Sequence, residues 1–337
     1  MTTHQISIIG TGLIGSSIGL GLTAAGWDVV GWDVDPDRLH AAADRGALRP
    51  AARSKALAGP LIVLAAPVSA IIDMLAELRT DGLVTDVAGV KQSVANAAAH
   101  LPRFVGGHPM AGRESSGPDG ASGALFTGAA WVVTPDGASS EDVATVDSMA
   151  RALGARPVHM SAAEHDTAVA AISHLPQLLA AALIEIAVDT PAALDLAAGS
   201  FRDLTRVAQS EASGVAQVVH ANAGALRPIV EQLRGRLGSL AGLLDDSPGM
   251  QSALENAGLV RRSIAPPVVA VAVVLADQPG ELAKVGRALG SSAVDIRDLQ
   301  LRHGRHGGGG VLTLSVRPGE ADVLSSALRA EGLQLAD

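Results

Sequence analysis

The chain of 337 residues contains no cysteine, no tyrosine, and only three phenylalanines and three tryptophans. Without cysteine there can be no disulfide, thiolate metal site or cysteine nucleophile, and a reducing compartment agrees with that. Lysine occurs only at Lys55, Lys91 and Lys284, against abundant arginine and alanine. This bias is that of a GC-rich genome and carries no functional meaning. Positive charge is in deficit, with a formal net charge of −9. Nucleic-acid and anionic-membrane partners demand a basic face and are therefore not expected, so an anionic substrate must be held by a few local cations. No apolar run reaches the ~20 residues of a bilayer crossing without a charge, Gly or Pro intervening. Met1 to Gln5 lead straight into a strand-like segment, with no basic n-region or signal-type apolar stretch. The expectation is a soluble, cytoplasmic protein.

At ~150 residues per domain the length calls for two or three domains. Residues 5–135 alternate short β-branched runs with Ala-rich helical stretches, the pattern of βαβ units and a parallel sheet. Strands are expected at Ile6 to Ile9, Asp28 to Trp32, Leu61 to Ala65, Leu83 to Asp86, Phe104 to Gly106 and Ala130 to Thr134. The fold class is an α/β Rossmann domain over 1–160, followed by an all-α domain over 161–258 whose long Ala/Leu-rich periodic segments lack strand signals. Residues 259–267, ending in Pro266-Pro267, read as a linker, because consecutive prolines stop a helix. Residues 268–337 follow the order βαββαβ, a small α+β ferredoxin-like unit. The Gly-rich stretch from His303 to Gly310 reads as a flexible hairpin tip. It has too few ligands at fixed geometry for a metal, and no metal site is expected.

The string Gly10-Thr11-Gly12-Leu13-Ile14-Gly15 follows the first strand and opens a helix, the setting in which GxGxxG binds a dinucleotide. Gly10 permits the tight turn, Gly12 lets the backbone approach the pyrophosphate, and Gly15 lets helix and strand pack closely, while the helix N-terminus receives the phosphate charge. Asp33, at the end of the second strand, can accept both ribose hydroxyls and would repel a 2′-phosphate. NAD is therefore expected over NADP, although Arg38 could reach round to a phosphate.

Ligands of such sheets bind beyond the carboxyl ends of the strands. Three segments can reach that crevice: Ala66-Pro67-Val68, Asp86 to Lys91, and Gly106 to Glu114. In the last, His108 stands between glycines that admit a ligand and a proline that fixes the chain, which suits an acid/base group near neutral pH. In the helical part, Pro176 removes a hydrogen bond beside His174 and implies a kink. Arg202 and Arg206 stand four apart, as on one helix face. Taken singly, each of these has an ordinary structural explanation.

Together, GxGxxG, Gly107-His108-Pro109-Met110-Ala111-Gly112 with Glu114, Ser173-His174-Leu175-Pro176 and Phe201-Arg202-Asp203-Leu204-Thr205-Arg206 resemble the prephenate/arogenate dehydrogenase family of tyrosine biosynthesis, in order and spacing over residues 5–240. The C-terminal unit resembles an ACT domain through Asp277-Gln278-Pro279-Gly280-Glu281-Leu282. The resemblance implies oxidative decarboxylation of prephenate to 4-hydroxyphenylpyruvate with reduction of NAD+. It makes His108 the catalytic histidine, His174 a second active-site histidine, Glu114 a gating or orienting carboxylate and Arg206 the substrate-carboxylate arginine. It also implies a homodimer formed through the helical region and an aromatic amino-acid effector near Asp277, Pro279 and Gly280. Two departures stand out. Gly89 occupies a loop position where many members carry serine, so that contact is missing or comes from water or Ser93. Arg113 replaces a small residue and adds a cation beside a substrate with two carboxylates. Arogenate as substrate, another hydroxyacid dehydrogenase and a non-catalytic NAD/amino-acid sensor are the alternatives. The second of these would want a lysine in the helical domain, and residues 161–258 have none.

Overall fold

The structure is a computed structural model that describes residues 4–112, 117–264, 268–303 and 309–336. The chain forms two compact units, Met1–Gly235 and Arg236–Asp337.

The first unit opens with β1 (Gln5–Ile9), α1 (Leu13–Ala24), β2 (Asp28–Trp32), α2 (Pro36–Asp44), β3 (Arg49–Pro50), α3 (Arg53–Ala56), β4 (Leu61–Leu64), α4 (Val68–Glu77), β5 (Leu83–Asp86), α5 (Gln92–Ala98) and β6 (Phe104–Pro109). It continues with β7 (Ala130–Thr134), α6 (Ser140–Ala152) and β8 (Arg156–His159). The eight strands form one sheet in the order β3-β2-β1-β4-β5-β6-β7-β8. Because β1 lies between β2 and β4, the chain leaves it in opposite directions, and a crevice opens beyond the carboxyl ends of β1 and β4. Every residue of β4 and β5 is buried, as parallel strands covered by helices on both faces require. One core cluster centres on Ile8, Ile18, Trp131 and Met149, and the other on Ile9, Leu64, Ile71 and Val94.

The sheet departs from the expected all-parallel pattern at β7, which pairs antiparallel to β6 with Gly107 opposite Val133 and His108 opposite Val132. No crossover helix lies between β6 and β7 among the described residues, so nothing carries the chain back for a parallel pairing. β6 also runs past the expected Gly106 to Pro109, which makes His108 part of a strand rather than a loop.

Next come α7 (Ala162–Val169), a π-helical turn (Ala170–His174), α8 (Leu175–Asp189), α9 (Gly199–Thr205), a 3-10 turn (Arg206–Gln209), α10 (Ala212–Ala221) and α11 (Ala223–Ala241). Ser161 and Glu164 form a reciprocal capping box that starts α7. Pro176 sits in the first turn of α8, where a missing N–H is harmless. The strain expected at the proline is taken up as the π turn immediately before it, a common device at functional sites. By length and composition alone, Ala162–Asp189 is apolar enough to cross a membrane, but it is broken by that turn and holds the buried His174.

In the second unit, α12 (Ser247–Ile264) precedes β9 (Val269–Leu275), α13 (Glu281–Ser292), β10 (Asp298–His303), β11 (Gly310–Val316), α14 (Ala321–Ala330) and β12 (Gln334–Leu335). The antiparallel sheet order is β10-β11-β9-β12, the expected βαββαβ arrangement. Its core is built by alternate residues Val271, Val273 and Leu275 against Leu312, Leu314, Leu324 and Leu328. The segment expected as a linker is helical as far as Ile264. Gly258 costs a helix about 1 kcal/mol relative to Ala, too little to stop one flanked by Leu259, Val260 and two arginines, and α12 ends just short of the prolines. Pro266 and Pro267 lie outside the described residues, as do 304–308 of the Gly-rich hairpin.

Candidate active site

The dinucleotide turn is built by close packing. Gly10 has a φ of +97°, and a Cβ there would lie 2.4 Å from the carbonyl oxygen of Ala65; a Cβ on Gly15 would lie 1.9 Å from that of Gly10. Neither position admits another residue without moving backbone. A Cβ on Gly12 would meet nothing within 4 Å, so this glycine leaves space on the cleft side. That combination of a tight turn and an open face is what a pyrophosphate requires. The cleft encloses about 950 Å³ and is lined by Gly10, Gly12, Leu13, Ile14, Asp33, Arg38, Ala66, Pro67 and Gly89 among others.

Thr11 is fully buried, and its N–H and hydroxyl both donate to Asp33 Oδ2, at 2.5 and 3.0 Å, while the Asp35 N–H donates to Oδ1 at 2.9 Å. The carboxylate is thereby fixed at the cleft edge. Arg38 is mostly exposed and paired with Asp35 at 3.3 Å. Nothing in the sequence marks the far wall, where Glu211, Gly214, Gln217 and Val218, from the cap to the middle of α10, also line the cleft. Ser69 Oγ donates to Gln217 Oε1 at 3.1 Å, tying α10 to α4. Glu211 caps α10 by accepting from the N–H groups of Ser213 and Gly214, and the Ser213 hydroxyl, followed by these N–H groups, holds its carboxyl below the usual range.

At the carboxyl end of β6, His108 Nδ1 lies 2.8 Å from His165 Nε2, with the rings edge-to-face. His165 Nδ1 lies 2.8 Å from Asp166 Oδ1. Asp166 also accepts the N–H groups of Lys91 and Gln92, at 2.7 and 2.9 Å. Burial alone would raise the Asp166 pKa, but the bonds from His165, Gln92 and Lys91 bring it below the ordinary value. Beneath His108 the fully buried Lys91 pairs with the fully buried Asp86, and its ammonium also donates to the Gly107 carbonyl at 2.5 Å. Burial, followed by the Lys91 ammonium and by the neighbouring imidazoles of His165 and His174 when protonated, holds the His108 pKa well below the ordinary value, so the ring is neutral at pH 7.

His174 is also buried. Its Nδ1 lies 3.2 Å from Asn222 Nδ2, which donates to the Asp166 backbone carbonyl at 2.8 Å. Burial lowers its pKa, against an opposing pull from Asp166. A Cβ on Gly89 would lie 3.8 Å from His108 Nε2 and 3.6 Å from Val218, ordinary contacts that leave room for a serine. Ser93 carries a buried hydroxyl with no partner among the described residues.

The structure thus brings His108 Nε2 up to Gly89, which lines the cleft of the glycine turn, and holds His174 within electrostatic range of His108. Arg206 and Arg202 do not share an α-helix as expected. Arg202 lies in α9, whereas the exposed Arg206 opens the 3-10 turn, which packs on α8. Arg113 and Glu114 lie outside the described residues. In the other unit, Asp277, Pro279 and Gly280 form an exposed turn before α13, with Gly280 at a φ of +96°.

The family model of the prephenate dehydrogenase nucleotide-binding domain matches residues 18–159, and that of the prephenate dehydrogenase dimerization domain matches residues 161–252. A prephenate dehydrogenase of Lactococcus lactis subsp. cremoris is 31% identical over 280 residues, 77% of each chain. The chain belongs to the prephenate dehydrogenase family. Among solved structures, Synechocystis arogenate dehydrogenase is similar with a TM-score of 0.71 and 30% identity, over 77% of this chain and 100% of that one. Prephenate dehydrogenase from Aquifex aeolicus, in complex with hydroxyphenyl propionate and NAD+, shares the fold at a TM-score of 0.72 and 24% identity, over 79% and 99%. The family models end before the βαββαβ sheet begins.

Proposed function

We propose that this protein is an NAD+-dependent prephenate dehydrogenase, converting prephenate to 4-hydroxyphenylpyruvate and carbon dioxide. The observation that carries the reading is His108: a neutral imidazole with Nε2 beside Gly89, which lines the cleft of the glycine turn. When bound, NAD+ would supply a two-electron acceptor for the hydride of the ring carbon bearing the hydroxyl. His108 accepts the proton of that hydroxyl as the hydride departs. When the ring carboxylate leaves as carbon dioxide, its bonding electrons aromatise the ring, and His108 returns the proton to the phenolate oxygen. Atoms and charge balance with no other co-reactant.

The Gly10–Gly15 turn, with Ala66 and Pro67, holds the pyrophosphate, and Asp33 holds the adenosine ribose. Replacing Asp33 by Ser removes the carboxylate that disfavours a 2′-phosphate, so the ratio of kcat/KM with NAD+ to that with NADP+ should fall at least tenfold. An unchanged ratio takes Asp33 out of the argument. Arg206 is assigned to a substrate carboxylate, with Arg113 as a further cation, Glu114 as a gate and His174 as a substrate contact. The planar guanidinium of Arg206 suits bidentate carboxylate recognition. Arg206→Ala should raise KM for the substrate by about tenfold or more with little change in kcat, the mark of lost binding.

Mixing the protein with NAD+ and prephenate and following the near-ultraviolet absorbance of reduced cofactor tests the activity. The same assay with arogenate tests the alternative favoured by the similarity to the Synechocystis enzyme. Exposed Ile172, Ile186, Val188 and Leu204 on the helices that match the dimerization domain support a homodimer, read by sedimentation. The C-terminal unit is assigned as an ACT-like domain that takes an aromatic amino acid near Asp277, Pro279 and Gly280, and the protein is assigned to the cytoplasm.

A further inference from the structure

Four hydrogen bonds leading out from Asp166 leave the protons of the site no freedom. A carboxylate only accepts, so the bond between His165 Nδ1 and Asp166 Oδ1 places a proton on His165 Nδ1. A neutral His165 then has a bare Nε2, and the 2.8 Å contact with His108 Nδ1 requires the proton to sit on the latter. His108 Nε2 is left unprotonated beside Gly89. The same residue acts in a second direction. The backbone carbonyl of Asp166 accepts from the Asn222 side chain, which fixes which end of that amide is nitrogen. The amide nitrogen donates to His174 Nδ1, so a neutral His174 carries its proton on Nε2.

We propose that His165 and Asp166 are positioning residues that lock His108 in the Nδ1–H tautomer, and that Asp166, through its carbonyl and Asn222, locks His174 in the opposite one. The pair gives the site one bare ring nitrogen to receive a proton and one N–H to donate a hydrogen bond. This deepens the reading of His108 as the base and rests on it. It also accounts for groups that a lone base would not need. His165 is 1% exposed and Asp166 4%, and burying an imidazole and a carboxylate in the first turns of a helix is costly unless they are bonded. Asp166 is satisfied by the N–H groups of Lys91 and Gln92 at the start of α5, so the base is referenced to a fixed point of the Rossmann sheet rather than to a mobile side chain.

Among the described residues, the other titratable groups near the ring are Lys91, His174 and, behind Lys91, Asp86. None of them bonds to either His108 ring nitrogen, so tautomer choice is left to His165.

Nitrogen-15 spectra of the full-length, histidine-labelled protein test this directly, with the His108→Asn and His174→Asn variants assigning the two rings. The expected result is protonated Nδ1 and bare Nε2 for His108, and the reverse for His174. A proton on His108 Nε2 in the wild-type protein overturns the proposal. His165→Leu removes the acceptor. Its kcat should fall by about 10² or more, towards the ~10⁴-fold loss of a triad whose histidine is held in the wrong tautomer, with KM for NAD+ within a few-fold of wild type. His165→Gln, which keeps an acceptor oxygen, should recover at least tenfold of that loss. A His165→Leu enzyme within threefold of wild-type kcat overturns the relay. If that variant does not fold, the wild-type spectrum decides alone. Should His108→Asn be inactive while His165→Leu is not, the relay fails and the base stands; an active His108→Asn removes the base itself.

Discussion

His108→Asn should leave a folded protein that still binds NAD+ while kcat falls by about 10² to 10⁴, the range that a well-placed general base contributes. Asparagine is close to imidazole in size and can still donate to His165 Nε2, so the scaffold survives, but it cannot take a proton. In the proposed reading NAD+ is held by the glycine turn and Asp33, which the substitution does not touch. Turnover within a few-fold of wild type would remove His108 from the chemistry.

The same substitution has a signature in pH. The pKa of His108 lies well below 6.5, first because burial penalises the imidazolium and then because Lys91 repels it, as His165 and His174 do whenever they are protonated. The neutral ring is the base, so kcat/KM in the wild type should stay level as the pH falls through 6.5 and drop only beneath the depressed pKa. The stability effect has the same sign. Below pH 6.5 the unfolded chain protonates His108 and the folded chain does not, so acidification costs up to about 1.4 kcal/mol per pH unit until the folded pKa is reached. In His108→Asn this slope is absent. Melting both proteins between pH 7 and 5 measures the difference, and equal slopes would mean that His108 titrates normally.

Much of the Rossmann half was legible because its strands are buried on both faces. Runs such as Leu83 to Asp86 have no amphipathic alternative, and their limits follow from the flanking turns. The direction of β7 was not legible, since strand composition carries no sign of pairing sense. β8, with Arg156 and Pro157 at a half-exposed edge, reads as loop. The glycine turn and His108 came from motifs, whereas the residues that control His108 did not. His165 and Asp166 follow a capping box and look like ordinary first-turn polarity. The signal was present, however: Ala162, His165, Asp166 and Val169 occupy the i, i+3, i+4, i+7 stripe that faces the core, and all four are buried. Titratable residues on such a stripe need partners, and partners at that depth point to a site. Lys91 sent the same signal as one of three lysines in the chain, placed directly after the buried Val90.

Lys91→Met should destabilise the first unit by about 3 to 5 kcal/mol, the usual cost of removing one member of a buried ion pair. Methionine fills nearly the same volume, so packing is kept and the effect isolates the charge. Lys91 and Asp86 are respectively 1% and 0% exposed. Burial lowers the Lys91 pKa, and the charge and hydrogen bond of Asp86 oppose that shift. Without the ammonium, the Asp86 carboxylate keeps only the N–H groups of Ala88 and Gly107, at 2.9 and 3.1 Å, and the Gly107 carbonyl loses its donor. At 2–4 °C per kcal/mol the melting midpoint should drop by about 10 °C. Adding Asp86→Asn should recover part of this, because the amide leaves no unpaired charge and still accepts one N–H. The loss should also reach the chemistry. Lys91 is the largest electrostatic cause of the lowered His108 pKa, so its removal lets that pKa rise, and the acid limb of kcat/KM should move to higher pH. A variant that melts within a degree or two of wild type, with its acid limb unmoved, would mean that the pair neither holds β6 against the Gly89 loop nor keeps His108 neutral.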